Sequence, residues 1–204
     1  MKAVKTLAFL LLAFTFSAKA QIKFPEYKKE ILKERVEKNK EFINPDETPL
    51  AKEEIPNFKG LNYFKPNLKY RISAKLVRES SSDTIKMKTT TERLPLYLVY
   101  GKATFSLEGK QHTITIFRNI GLMTKPGYED YLFVPFTDET SGKQSYGGGR
   151  YIDARITEGD SIILDFNKAY NPYCVYSKRY SCPIPPRENH INAKIFAGEK
   201  KYDH

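Results

Sequence analysis

The sequence has few of the residues that build stapled or metal-bound scaffolds. Its 204 residues include two cysteines, three histidines and no tryptophan. Two cysteines exclude a disulfide-dense miniature scaffold. A zinc site would need two more ligands, and none of the three histidines stands at a recognised ligand spacing. We therefore expect no metal and no cofactor.

Long apolar runs are also scarce. Only residues 7–16 approach a membrane-like run, and roughly ten residues cannot span a bilayer. The composition therefore excludes a transmembrane protein, and its aromatic and β-branched content argues against disorder. The length suits one domain, either alone or with a short appendage.

The N-terminus predicts export. Lys2 and Lys5 precede the apolar run, and Ala18-Lys19-Ala20 forms an A-x-A cleavage site. These are the three parts of a secretory signal peptide, here residues 1–20 with cleavage after Ala20. No cysteine follows closely that could carry a lipid anchor. We expect a chain that starts at Gln21 and is periplasmic or secreted.

Cleavage changes the charge. Residues 1–20 hold three lysines and no acidic residue, so removing them lowers the formal charge from +10 to +7. The remaining basic residues are spread along alternating segments, whereas nucleic-acid binders concentrate charge on one face or element. Nucleic acid is therefore not an expected partner. A weak attraction to an anionic envelope surface is compatible with this charge.

Residues 21–57 predict a helix and a connector. The helix should cover residues 25–43, with Pro25 in its first turn and Asn44-Pro45 as its end. Tyr27, Ile31, Leu32 and Val36 form a thin apolar stripe that should lean on the main domain. The proline-punctuated stretch 45–56 then reads as a connector.

Residues 58–204 predict a β domain, because the hydrophobic period changes to two. Tyr70, Ile72, Ala74 and Leu76 alternate with polar residues, and Glu108-Gly109-Lys110 separates two such runs as in a hairpin. Further strands are predicted at 85–89, 96–100, 130–136, 149–156, 161–167 and 192–197. About eight short strands indicate a mainly β fold, a single antiparallel barrel or sandwich.

Two stretches depart from plain alternation. Residues 136–153 contain the turn former Asp138, then Tyr146, then three glycines before Arg150. The glycines could let a ligand approach the main chain, or they could belong to an ordinary hairpin loop. No lysine with serine or threonine follows them, which excludes a phosphate loop of the Walker type.

Residues 165–190 form an irregular segment dense in tyrosine, asparagine and proline. Polar side chains recur through it, and such a stiff segment is typical either of a binding loop or of a well-packed cover. The candidates for ligand contacts in this segment are Asp165, Asn167, Tyr170, Asn171, Glu188 and Asn189. Cys174 and Cys182 lie in the same segment, and in an exported protein such a pair predicts a disulfide.

The quoted stretches resemble a known family. FTDETSGKQSYGGGRYID, LDFNKAYNPYCVYSKRYSCPIPPREN and IFAGEK, with FKGLNYFKPNLKYRISAKL upstream, are similar to the signature blocks of the bacterial domain of unknown function 1684. The resemblance extends over essentially the whole mature chain. It implies that the candidate residues other than Asp138, together with both cysteines, Gly149, Pro183, Gly198 and Glu199, occupy motif positions. It implies no activity.

Three functional hypotheses remain open. The domain could bind a small polar ligand, such as a glycan or peptidoglycan fragment, between the two irregular stretches. It could be a hydrolase that uses Asp165 or Glu188 as general acid or base, although no known catalytic spacing supports this and its catalytic residues are unknown. It could also be a structural or interaction module whose motif residues form a buried network. Whether it is an enzyme stays open.

Overall fold

The computed structural model describes residues 22–80 and 84–202. Within them the chain forms an antiparallel sheet of eight strands, curved into a half-barrel, with one α-helix in front of it. The predicted fold class is therefore confirmed. The proposed signal peptide lies outside the described residues.

The helix and strands follow one another along the chain as α1 (Phe24–Ile43), β1 (Arg71–Arg78), β2 (Thr84–Lys86), β3 (Leu96–Leu107), β4 (Lys110–Asn119), β5 (Tyr131–Asp138), β6 (Arg150–Arg155), β7 (Ser161–Asp165) and β8 (His190–Ile191). The order across the sheet is β6-β5-β4-β3-β1-β7. β2 pairs with β3, and β8 pairs in parallel with β5.

The predicted hairpin is the β3–β4 pair. Leu107 pairs with Lys110, so Glu108 and Gly109 alone make the turn. Both have positive φ, 53° and 75°, as the common two-residue hairpin turn requires. This pair carries the longest ladder in the sheet, from Tyr97–Asn119 to Leu107–Lys110.

β4 and β5 separate after a single ladder pair, Phe117 with Phe133. Pro135 follows in β5 and has no N–H to donate. The side-chain amide of Asn189 bridges the gap, since it accepts the Thr115 N–H at 2.8 Å and donates to the carbonyls of Thr115 at 2.8 Å and Pro135 at 2.7 Å. Asn189 thus replaces strand backbone inside the sheet.

The strand predicted at 192–197 is wrong. Ala193, Ile195 and Ala197 are buried as the alternation suggested, but residues 192–197 pair with no strand. The carbonyl groups of Ile195, Ala197 and Glu199 instead accept hydrogen bonds from the guanidinium of Arg150. A side chain takes the place of the neighbouring strand.

Helix α1 has the predicted extent, but only part of the predicted stripe packs against the domain. Tyr27, Ile31 and Phe42 are buried against the domain. Leu32 and Val36, assigned to the packing stripe from the sequence, are 44% and 53% exposed. The connector after the helix is anchored by Leu50, which is fully buried.

The sheet is covered on both faces where β5 crosses it. Leu132, Val134 and Phe136 point into the main hydrophobic core. Phe133 points the other way and packs with Tyr97 and Tyr151 in a second cluster. That second face leads to the cavity described next.

Candidate functional site

A cavity of about 530 Å³ lies between helix α1, the outer face of β5 and β6, and the irregular segment that follows β7. We call it the tyrosine cavity, because eight of the chain's 14 tyrosines line it. They are Tyr63, Tyr97, Tyr128, Tyr131, Tyr151, Tyr170, Tyr173 and Tyr180. The aromatic rings contact one another edge to face, for instance Tyr151 with Tyr170 at 5.7 Å between centroids, so the walls are mutually supported.

Charged groups enter the cavity from two sides. Arg35 of α1 stacks its guanidinium 4.3 Å from the Tyr63 ring centroid and donates to the carbonyl of Phe64 at 2.9 Å. Its buried Nε has no hydrogen-bond partner within the part of the chain that the structure describes. Lys168 is held by Glu30 and Glu34. The opposite side carries Asp153 of β6.

The Glu199 carboxyl forms part of the deep wall. It is buried and accepts the Asn171 N–H at 2.7 Å, the Tyr176 hydroxyl at 2.8 Å and the Tyr63 hydroxyl at 3.5 Å. Burial raises the pKa of Glu199 above its ordinary value, and the hydrogen bonds from Asn171 and Tyr176 oppose that shift in part. Through these hydrogen bonds, Glu199 fixes Tyr63 and the chain around Asn171.

Asp138 and Arg150, two candidates from the first irregular stretch, form a buried ion pair at 2.8 Å with side chains 1% and 0% exposed. Asp138 also accepts the N–H groups of Thr140 and Ile195. Neither residue lines the tyrosine cavity. They tie the C-terminal segment to the sheet and so belong to a buried network.

Asp165 and Asn167 hold other parts of the chain to the domain. Asp165 accepts the hydroxyl of Tyr27 at 2.8 and 3.0 Å and thereby anchors α1. Asn167 exchanges two hydrogen bonds with the backbone of Asn67, at 2.8 and 2.9 Å. Asn167 lines the cavity as well, whereas Asp165 does not.

The remaining candidates are distributed over several places. Tyr170 lines the cavity and donates to Asp153 at 2.6 Å. Asn171 is buried and donates to the Lys200 carbonyl at 2.9 Å. Glu188 is exposed and faces a separate shallow hollow beside β3 and β4. Asn189 is the bridge inside the sheet described above. Tyr146 is half-buried and shields the triple-glycine turn.

The glycine turn brings chain close to chain. Gly149 has φ +90°, and a Cβ there would lie 2.5 Å from the Phe136 carbonyl oxygen and 2.7 Å from Pro185. Gly149 therefore permits a close approach between this turn, β5 and the proline-rich segment. The approach of a ligand to these glycines stays a prediction.

The predicted disulfide is absent. Cys174 and Cys182 are free, and the Cys174 N–H donates to the Cys182 sulfur at 3.2 Å. Hydrogen bonding to Cys182 lowers the pKa of the half-buried Cys174 to about 7. The same contact, with burial, raises the pKa of Cys182, which lines the cavity.

The two thiols should differ in reactivity. Because the thiolate is the nucleophile, we expect iodoacetamide at neutral pH to label Cys174 rapidly and Cys182 slowly. Mass spectrometry of the labelled peptides measures the labelling rate of each cysteine. The variants Cys174→Ser and Cys182→Ser are compared with each other, since only one thiol can react in each. Equal rates for both sulfurs in the native protein would contradict the assignment.

The described residues include no group of three or more histidine, cysteine, aspartate or glutamate side chains that could hold a metal ion. In the same part of the chain, α1 included, no helix has the length and apolarity needed to cross a membrane.

Sequence reasoning missed most of the cavity. Four lining residues lie far in sequence from the two irregular stretches, namely Arg35, Lys38, Tyr63 and Tyr97. Asp153 is the last residue of the first stretch and is not among the candidates from the sequence. One signal was present, because nine of the 14 tyrosines occur from residue 128 onward. Their convergence depends on the curvature of the sheet and on the docking of α1.

Together the fold and the site define a class of protein, a mainly β half-barrel domain with a tyrosine-lined cavity beneath an N-terminal helix. The chain belongs to the family described as Protein of unknown function (DUF1684), whose family model matches residues 56–200. The resemblance inferred from the motif blocks is confirmed. The match starts after α1, which nevertheless contributes four residues to the cavity.

A solved structure supports the fold. The solution NMR structure of an uncharacterized protein from Haloarcula marismortui is 34% identical, with a TM-score of 0.66, and the match covers 86% of this chain and 95% of that chain. No curated protein matches the chain.

Proposed function

We propose that this domain binds a small glycan fragment in the tyrosine cavity. The observation that carries the proposal is the combination of a volume of about 530 Å³ with eight lining tyrosines. Ligand pockets typically have ~300–1,000 Å³ and combine mostly apolar walls with a few polar groups. The apolar faces of tyrosine rings suit the flat faces of sugar rings, and their hydroxyls suit sugar hydroxyls.

Charged groups at the walls support a polar ligand. Arg35 and Lys168 reach the cavity from the helix side, and Asp153 reaches it from the sheet side. Arg35 and Lys168 can donate charge-assisted hydrogen bonds to hydroxyl or carbonyl oxygens, and the Asp153 carboxylate can accept them from hydroxyl groups. Export of the chain, which residues 1–20 predict, would bring the domain among envelope glycans.

The hydrolase alternative has less support. General acid–base catalysis needs titratable groups within reach of one reacting atom. Asp165 is occupied by Tyr27 and Asn167, and Glu188 faces a different hollow. We therefore propose binding and assign no catalytic residue.

Intrinsic tyrosine fluorescence offers a direct test, because the chain has no tryptophan to mask it. We expect soluble chitin oligosaccharides or muropeptides to change the tyrosine emission of the purified protein in a saturable way. Calorimetry then gives the Kd. Absence of any saturable change across a panel of both glycan types would contradict the proposal.

A matched pair of variants locates the site. Tyr128 lines the cavity and is 36% exposed, so Tyr128→Ala should spare the fold. We expect it to weaken binding by about tenfold, since one aromatic contact is worth about 1 kcal/mol or slightly more. Tyr100→Ala, on β3 and outside the cavity lining, is the control. Equal weakening by both variants would contradict the location.

A further inference from the structure

Asp153 is exposed to solvent, lines the cavity and holds its carboxylate in a defined orientation. It lies on β6, where its Oδ1 accepts the hydroxyl of Tyr131 at 2.7 Å and that of Tyr170 at 2.6 Å. Burial and the negative charge of Asp153 raise the pKa of both tyrosines, so both remain donors over the accessible pH range. The two donors immobilise the carboxylate and occupy Oδ1.

The second oxygen of this carboxylate is free. Within residues 22–80 and 84–202, Oδ2 of Asp153 has no hydrogen-bond partner, and no basic nitrogen lies within 4.0 Å of the carboxylate. Arg155 is the basic residue two positions along the same strand, but its guanidinium is held by Asp130 at 2.6 Å and by the Gly127 carbonyl at 2.7 Å. Among the described residues the negative charge therefore has no salt bridge, although Arg155 attracts it from a longer distance.

Aromatic residues line the same cavity as this carboxylate. Tyr131, Tyr151 and Tyr170 line the same cavity as Asp153, and Phe133 packs edge to face on Tyr151 at 4.8 Å. The faces of such rings attract cations through their quadrupoles. A fixed carboxylate among aromatic rings favours a positively charged donor over a neutral one, because the charge adds to the hydrogen bond.

We propose that Asp153 determines specificity in the tyrosine cavity and selects a ligand that carries a protonated amine, as an amino sugar does. The ammonium group donates to Oδ2 and lies against the neighbouring tyrosine rings. This inference rests on the proposed glycan binding and adds the chemical class of the ligand.

The test compares two probes that differ in one group. Glucosamine oligosaccharides carry free amines, and N-acetylglucosamine oligosaccharides of the same length carry neutral amides. Calorimetry is run at a mildly acidic pH that keeps the amines protonated. We expect the glucosamine oligosaccharide to bind the native protein about tenfold more tightly at low salt, with the ratio falling as salt rises.

Asp153→Asn is the matched variant, since its amide oxygen still accepts from Tyr131 and Tyr170 while the charge is lost. We expect the preference for the amine to fall to about one in this variant, because the glucosamine probe loses more affinity than the acetylated probe. Asp160→Asn, outside the cavity lining, is the control and should keep the preference. Circular dichroism and thermal melting verify the fold of each variant.

The outcomes separate the two proposals. If both probes bind the native protein equally well, or if Asp153→Asn keeps the preference, the inference is overturned while glycan binding stands. If neither probe nor any other glycan binds, both proposals fail. The comparison of probes on the native protein decides the matter even if Asp153→Asn does not fold.

Discussion

Arg150→Met is expected to lower the free energy of unfolding by about 4 kcal/mol. The substitution leaves the carboxylate of Asp138 in the core, where its side chain is 1% exposed, without its positive partner. It also removes the donor to the carbonyls of Ile195, Ala197 and Glu199. Removing one member of a buried ion pair costs more than the pair itself contributes, because the remaining charge is uncompensated.

Equilibrium unfolding in urea measures the loss. Arg155→Met is the matched control, because Arg155 lies in the same strand and pairs with Asp130 while both side chains are 54% and 53% exposed. Such surface pairs contribute about 0–1 kcal/mol. A loss for Arg150→Met as small as that for Arg155→Met would show that the buried network does not stabilise the fold.

A second variant separates charge from packing. In the double variant Arg150→Met with Asp138→Leu, the Asp138 carboxylate is removed together with its partner. We expect part of the stability to return, since replacing both members of a buried pair by apolar residues is often neutral or favourable. The return should be incomplete, because the carbonyl groups of the C-terminal segment still lack their donor.

Gly198→Ala is expected to lower the free energy of unfolding by about 3 kcal/mol. Gly198 has φ +74°, and a Cβ there would lie 2.5 Å from the Ala169 carbonyl oxygen and 2.7 Å from that of Phe166. The variant therefore adds a backbone clash to the strain of the left-handed conformation. The clash pushes the following residue, Glu199, away from the cavity wall.

The chain provides a control with almost the same backbone angle. Gly109 has φ +75°, and nothing lies within 4 Å of a Cβ built there. Gly109→Ala should therefore cost only the conformational strain, about 1 kcal/mol. Unfolding in urea compares the two variants. Equal losses would mean that the contact between Gly198 and residues 166–169 is unimportant for stability.

Arg150 and Gly198 both support the cavity through the C-terminal segment. Arg150 holds the carbonyls of the C-terminal segment, and Gly198 lets that segment pass close to the chain that follows β7. Glu199 then fixes Tyr63 and Asn171. Motif residues that do not line the cavity thus hold in place those that do. For this reason, the free energy of unfolding should be measured for any variant that changes ligand binding in the cavity.

Much of the fold could be predicted from local patterns. The period of two located β1, the β3–β4 hairpin and the starts of β5, β6 and β7 to within a residue or two. Pro25 and Asn44-Pro45 predicted both ends of α1 within one residue. Local patterns succeed here because turn residues and alternation act within a few positions of the chain.

The packing face of α1 and the pairing of residues 192–197 could not be predicted in this way. Leu32 and Val36 are as apolar as Ile31, yet only Ile31 faces the domain. Tyr27, one turn before Ile31 on the same face, donates to Asp165, and this contact joins residues 138 positions apart. Residues 192–197 alternate like a strand, but the guanidinium of the distant Arg150 donates hydrogen bonds to the carbonyls of Ile195 and Ala197.

The sequence by itself determined a mainly β domain with an N-terminal helix and pointed to the segments that hold its family motifs. Only the tertiary structure decided which polar residues are internal and which face a cavity. Asp138 and Arg150 pair in the core, while Asp153, unremarkable in the sequence, presents a free oxygen beside Tyr131 and Tyr170. The physical reason is that a polar side chain becomes structural or accessible according to its partners, and those partners come from distant parts of the chain.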